Sequence, residues 1–501
     1  MRFPTAGTGY RLTMGVTNAI ARMDRVTGEV LERAVEDHHL RRLRRVGWQR
    51  ILDEDLTGLC VGGDPAVREG NIVKIHIDGA EAFPAMHRAM MQARSHIYLA
   101  NWFVTPDFRF DGGSPADLPR DGPTLRELLA ELSSRVDVRV LLWSGPPVAW
   151  SFIGRPEIKR TRDVLTRGTH IRCLLDSHER PLHTHHEKIV IIDDQVAFVG
   201  GLDHTALRGD RFDSSEHPLR EGIGWHDLAA EVRGPAAADV SAHFRLRWKA
   251  VSGESLSPAK LDDKAGKHDV QVLATIPEVI YPSVPRGVFR ILESYMRAFF
   301  SAKHLIYIEN QFLWSPEIVD VLRKKLIAPP ADDFRLVLLL PAKAATGTDD
   351  TKGQLGALLE ADHDGRLTAS TIYSHAGDQS RAVYVHAKLA IVDDLWLTVG
   401  SANLNDHSLF NDTELNVAVY DPEIARPTRE RLWAEHMELP LASVSGDPVS
   451  VIDELWKPRA EEQHLRRAAG EPMTHRLTKL PHVSRRSERL LGPLQGLVLD
   501  G

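Results

Sequence analysis

Cysteine is nearly absent from this chain. Cys60 and Cys173 are the only two in 501 residues. Two thiols cannot build a disulfide scaffold or a zinc-finger ligand set, and nothing requires an oxidising compartment. Long apolar runs are also missing. No stretch of 18 apolar residues occurs, so no membrane-spanning helix is expected. Residues 1–21 carry Arg2 and Arg11 but no continuous apolar segment, which argues against a Sec signal peptide. The expected location is therefore the cytoplasm or the periphery of a membrane, with export by a non-Sec route left open. A basic excess is lacking too. Lys and Arg total 62 against 69 Asp and Glu, a net charge of −7. A dedicated nucleic-acid partner would favour the opposite balance. What remains is a globular composition, 43% hydrophobic and 26% charged, long enough for more than one core.

Residues 1–70 read as a helical extension, Arg-rich around Arg41, Arg42, Arg44 and Arg45, with those arginines on a solvated face. From residue 71 the texture changes. Val73 to Ile77 alternates as a strand does, and Ile97–Leu99, Val136–Trp143, Ile171–Leu175, Ile189–Ile192 and Val196–Val199 follow as apolar strands. Helical stretches at Ala80–Ala93 and Leu125–Ser134 separate the first of them. Strands alternating with helices predict an α/β fold, with mixed sheets flanked by helices. A polar stretch at 252–268 reads as a linker. The pattern then restarts over 269–440, and residues 441–501 are left as a basic tail. From Trp456 onward that tail has nine Lys and Arg against five Asp and Glu, suited to solvent or to anionic lipid. The apolar loop Pro146–Gly154 is either packed inside or a tip that docks on a membrane.

The restart is an internal repeat. Ile97-Tyr98-Leu99-Ala100-Asn101-Trp102-Phe103 aligns with Ile306-Tyr307-Ile308-Glu309-Asn310-Gln311-Phe312. His186-Glu187-Lys188 and Asp193 align with His386-Ala387-Lys388 and Asp393. Two duplicated lobes are expected, related by a pseudo-twofold axis, with the active site at their interface. Each lobe carries His-x-Lys-x4-Asp and then a turn, Gly200-Gly201-Leu202-Asp203 in the first and Gly400-Ser401-Ala402-Asn403 in the second. Residues i and i+2 of a strand share a face, so His186 projects with Lys188 and His386 with Lys388. Two ammonium groups can neutralise a phosphate as charge grows on it. One imidazole can attack phosphorus while the other protonates the leaving oxygen. Asp193 and Asp393 complete the motifs, but their parity turns them away to brace the strand–turn geometry. Glu309 falls at the C-terminal end of a strand, where α/β sites lie. A metal cluster of His183, His185 and His186 with Asp193 is the competing reading, opposed by the lysine in its midst. No metal and no cofactor are expected.

With these residues in place the chain resembles the phospholipase D superfamily, whose members carry paired HKD motifs. Within it the chain is most similar to the phosphatidylcholine-type phospholipases D of eukaryotes and some bacteria. Tyr307-Ile308-Glu309-Asn310-Gln311-Phe312, Trp225-His226-Asp227 and Arg211-Phe212-Asp213 carry that resemblance, which runs over roughly residues 72–440. It implies hydrolysis of glycerophospholipids to phosphatidic acid and a free head group at a membrane surface. A primary alcohol in place of water would give transphosphatidylation. It also implies that His186 is the nucleophile, that His386 is the general acid, and that Lys188, Lys388 and Asn403 bind phosphate. Asp203 departs from a second asparagine in the first lobe. Glu414 is expected to orient His386, and Asp227 to orient His186. A monomer is expected, since both motifs lie in one chain. The alternatives are a phosphatidyltransferase of the cardiolipin synthase type, a phospholipase D-like nuclease and a lipid-binding pseudoenzyme.

Overall fold

A computed structural model describes residues 30, 32–53, 56–110, 122–146, 153–181, 183–205, 209, 211–259, 264–343 and 348–480. Seven strands form the first lobe: β1 (Arg68–Ile77), β2 (His96–Asn101), β3 (Asp137–Trp143), β4 (Arg172–Asp176), β5 (Ile189–Ile192), β6 (Val196–Gly200) and β7 (Leu228–Arg233). Their order across the sheet is β4-β3-β2-β5-β6-β7-β1. The β2, β3 and β4 strands run parallel and the remaining pairings are antiparallel.

The second lobe repeats the plan with β8 (His268–Ile276), β9 (Leu305–Asn310), β10 (Arg335–Leu339), β11 (Leu367–Ala376), β12 (Lys388–Val392), β13 (Trp396–Gly400) and β14 (Glu414–Val419). The order is β11-β10-β9-β12-β13-β14-β8, with the same three strands parallel. Identical topology with a shared direction pattern is what the repeat predicts. The two sheets meet edge to edge where β1 pairs with β8.

Periodicity explains why these strands are almost wholly apolar. Ile189 and Ile191 face a central core, which Leu389 and Ile391 enter from the other lobe. Val190 and Ile192 face the opposite side, under the outer helices of the first lobe. Ala390 and Val392 do the same in the second. Both faces are covered, so the runs are continuous instead of alternating. Helices α1 (Pro235–Ser252) and α2 (Pro422–Met437) thread the central core through Phe244, Trp248, Leu432 and Trp433. Cys60 and Cys173 are both free thiols. No described helix is long and apolar enough to cross a membrane.

The flanking segments are more integrated than their composition implies. Within the Arg-rich N-terminal stretch Arg42 is buried, forking onto Glu278 and donating to Asn411 and the Phe410 carbonyl. Arg41, Arg44 and Arg45 are exposed as expected. The basic C-terminal segment is folded as far as residue 480. Trp456 is fully buried against Tyr307 and Trp433, and Leu477–Lys479 adds an edge strand to β11. Residues 481–501 and most of the apolar loop, residues 147–152, lie outside the described residues.

Candidate active site

The segments that carry the two histidines cross between lobes. Ahead of β5, the His186 amide donates to the Thr413 carbonyl at 2.9 Å. Ahead of β12, the His386 amide donates to the His226 carbonyl at 2.8 Å, where Tyr384-Val385 pairs with Trp225-His226. Each motif is therefore stitched to the segment just ahead of β14 or β7 of the opposite lobe; Glu414 is the first residue of β14 and Asp227 immediately precedes β7.

The pairing is consequently crossed. His186 Nδ1 lies 2.9 Å from Glu414 Oε1. His386 Nδ1 lies 2.6 Å from Asp227 Oδ2. The expected partnership within each lobe is thus corrected: each imidazole uses the carboxylate of the other lobe. The geometry around the two carboxylates differs. Ser401 and Ser408 donate their hydroxyls to Glu414. A Cβ on Gly201 would meet Asp227 Oδ1 at 2.2 Å, so the first lobe needs glycine where the second has Ser401.

The lysines fold back on their own motifs. Lys188 Nζ donates to the His186 carbonyl at 2.6 Å and lies 3.4 Å from Asp203 Oδ2. Lys388 Nζ donates to the His386 carbonyl at 2.5 Å and to Gln311 Oε1 at 3.0 Å. Asn403 Nδ2 also reaches Gln311 Oε1, at 3.4 Å. Asp203 thus takes the place of a neutral amide and pairs with its lysine. His186, Lys188, Asp203, Asp227, His386, Lys388, Asn403 and Glu414 are all buried.

Electrostatics bears strongly on His386. Burial, with Lys388, Arg211, Lys188 and His186 close by, holds His386 well below the ordinary histidine range. Burial pushes the Asp227 carboxyl up to about 6, against the pull of Lys388 and Arg211. Burial also raises Glu414, opposed by His186. Arg211 stacks its guanidinium 3.8 Å over the Trp225 ring, and Trp225 in turn packs edge-on to His386 at 4.6 Å.

Three expected site residues lie elsewhere. Asp193 accepts from the amides of Arg94, Ser95 and His96. Asp393 accepts from those of Lys303, His304 and Leu305. Both tie a β-turn to the start of a parallel strand, the bracing role that strand parity predicts. Glu309 is corrected from a substrate-facing role. It is wholly buried, and its oxygens accept from His226, His436 and Tyr307. The imagined cluster of His183, His185 and His186 with Asp193 does not form. His183 faces His407, His185 faces Thr413 and Asp176, and His186 faces Glu414.

A family model described as "Cardiolipin synthase, PLD-like domain" matches residues 295–435. Phospholipase D A of Dictyostelium discoideum is 26% identical over 459 residues, covering 73% of this chain and 36% of that protein. Phospholipase D alpha 4 of Arabidopsis thaliana is 25% identical over 486 residues, covering 70% of this chain and 62% of that protein. The chain is similar to members of the phospholipase D superfamily over most of its length. It spans about a third of the length of the first of these relatives and about three fifths of the second. A crystal structure of phosphatidylserine synthase from Haemophilus influenzae Rd KW20 shares the fold, with a TM-score of 0.50 at 12% identity, over 83% of this chain and 97% of that one.

Two residues of this site were not singled out in the sequence. Gln311 was visible only as part of a repeated segment, where the first lobe has Trp102. A repeat hides the position at which its copies diverge. Arg211 was visible as part of Arg211-Phe212-Asp213, yet nothing local to that tripeptide says that its charge reaches His386.

Proposed function

We propose that the chain is a phospholipase D-type phosphodiesterase that acts on glycerophospholipids at a membrane surface, as a monomer. One observation carries this reading: the two His-x-Lys groups are buried close together, with Lys188, Lys388 and His186 all beside His386, and each imidazole pairs with a carboxylate from the opposite lobe. The cations Lys188, Lys388 and Arg211 give that site the charge to hold a phosphodiester anion. The names of the relatives in Dictyostelium and Arabidopsis support the substrate class.

In the proposed reaction Nδ1 of each imidazole donates to its carboxylate, which leaves Nε2 for chemistry. His186 Nε2 attacks phosphorus and a P–N bond forms. The P–O bond to the head group breaks, and the leaving oxygen takes a proton from His386 Nε2. Water then gives a proton to His386 and attacks phosphorus. The P–N bond breaks, releasing phosphatidic acid and free His186. Lys188, Lys388 and Asn403 hold the non-bridging oxygens through both steps. An alcohol in place of water gives transfer with the same atoms.

One observation favours exchanged roles. His386 is held neutral by burial and neighbouring cations, the state that a nucleophile needs. An anionic phosphodiester offsets those cations, so proton uptake by His386 on substrate binding is what the primary assignment requires. The matched family description also keeps a phosphatidyltransferase as the second activity to test.

Purified protein incubated with phosphatidylcholine, phosphatidylglycerol or single-stranded DNA, with and without a primary alcohol, separates these readings. The expected products are phosphatidic acid and free head group, with phosphatidyl alcohol when alcohol is present. Lipid–lipid transfer without hydrolysis would move the chain to the transferase class. Cleavage of DNA alone would overturn the lipid reading.

A further inference from the structure

Behind Asp227 lies a second polar cluster that the proposed reaction does not use. Asp78 opens the helix that follows β1, His217 sits in the loop ahead of Trp225, His226 precedes Asp227, and Glu435 lies on α2. The side chains of Asp78, His217 and His226 are 0% exposed and that of Glu435 is 4%. His217 Nε2 lies 3.0 Å from Glu435 Oε1 and 3.4 Å from Asp78 Oδ2. His226 Nδ1 lies 3.0 Å from Asp78 Oδ1 and 3.4 Å from Glu435 Oε1. One donor atom from each of the four lies within 4.8 Å of all the others. A tetrahedral shell at the usual zinc–ligand distances has edges of about 3.3 Å.

Two further features point to a cation. His226 has a carboxylate hydrogen-bonded behind it, Glu309 Oε2 2.8 Å from Nε2, and Asp213 Oδ2 stands 3.2 Å from His217 Nδ1 without an aligned hydrogen bond. Such outer carboxylates fix the tautomer that presents a lone pair to a metal. His226 Nδ1 and Asp78 Oδ2 are buried and make no aligned hydrogen bond, although each has an opposite number at close range. A cluster held together by shared protons alone would leave those two atoms unpaired, at a cost.

We propose that Asp78, His217, His226 and Glu435 bind one structural divalent transition-metal ion, with zinc the best match to two imidazoles and two carboxylates. The two carboxylates neutralise the ion, which makes its burial tolerable. Three ligands belong to the first lobe and Glu435 to the second, so the ion staples the lobes together. It also fixes the His386 arm. The Asp227 amide donates to Asp78 Oδ1 at 3.0 Å, and the Asp78 amide donates to the Asp227 carbonyl at 2.8 Å. The His226 carbonyl receives the amides of His386 and Ala387. The ion touches no substrate; it positions the carboxylate that positions the histidine.

The test is elemental analysis of the full-length, tag-free protein after gel filtration in EDTA, from cells grown with zinc. The wild type is expected to retain one equivalent of zinc, since all four ligands are shielded from the chelator. Protein from cobalt-supplemented cells is expected to show visible ligand-field bands of a nitrogen- and oxygen-ligated ion. His217→Gln and Glu435→Gln are expected to lower metal content by about tenfold or more. His183→Ala, at the neighbouring His183–His407–Asp412 group, is expected to leave it unchanged. Wild-type protein holding less than about a tenth of an equivalent from both media would overturn the proposal, whatever the variants do. Retention in both ligand variants with loss in His183→Ala would overturn it as well.

Discussion

His186 and His386 each lean on a carboxylate from the other lobe, and that crossing makes the site a property of lobe docking instead of either motif. Asp227→Asn and Glu414→Gln keep the shape and remove the charge. Each is expected to lower kcat by about 10²–10⁴-fold with a native circular-dichroism spectrum. Double-mutant cycles check the crossing. His186 is expected to couple to Glu414 by about 1–3 kcal/mol, and far less to Asp227. A larger His186–Asp227 coupling would restore the uncrossed pairing. Arg211 belongs to the same scale. Its cation is one of those that hold His386 low, so Arg211→Gln stabilises the protonated imidazole. The ionisation assigned to His386 in the pH profile of kcat/KM is expected to move to higher pH. No movement, or a fall, would remove Arg211 from the site. The histidines and lysines were legible in the sequence because the motif is repeated. Their partners were not, because a symmetric pair of motifs is equally consistent with partners inside a lobe or across it.

Within each element, the aspartate that closes the motif acts on the backbone. Asp193 and Asp393 sit at left-handed φ, 56° and 51°, and each gathers three amides at the head of a parallel strand. Asp193→Ala is expected to cost about 1–2 kcal/mol of stability, by analogy with loss of a helix cap. The kcat of the folded fraction should stay near wild type, read by denaturant melts alongside activity. A large kcat loss without a stability loss would return Asp193 to the chemistry. Gly201→Ala works in the opposite sense. Its new methyl group would displace the Asp227 carboxylate, so activity is expected to fall more than melting temperature. Strands were the most legible elements, since β2, β5, β9 and β12 are apolar on both faces. Arg42 and the segment after Trp456 were not, because charge density reads as solvent exposure until a partner such as Glu278 or a docking edge such as β11 is known.

Across the whole molecule, two sheets of one topology share a central core, and buried ion pairs tie the motif strands to it. Glu187 stands between His186 and Lys188 but points away, 2.9 Å from Arg247 and 2.7 Å from His243. Burial opposes its charge, yet Arg247 and His243 hold it at about 2, below the ordinary 4.5. A depressed carboxylate contributes stability above its unfolded value and loses it as pH falls through its folded value. The stability gap between wild type and Glu187→Gln is therefore expected to be full near neutrality and to close between pH 4.5 and about 2. A gap that stays constant over that window would show that Glu187 is not ionised in the folded protein. The duplication and the α/β class could be read from the repeat, whereas the contact that joins β1 to β8 could not, because nothing local in either strand names the other. The most direct measurement of the account is a rapid quench into alkaline denaturant during turnover of a phospholipid, followed by peptide mass spectrometry, since a phosphoramidate survives base better than acid. A phosphatidyl adduct is expected on the peptide containing His186, absent in His186→Asn and accumulating in His386→Asn with a substrate that has a good leaving group. Turnover at the wild-type rate in either histidine variant, or an adduct on neither histidine, would contradict it.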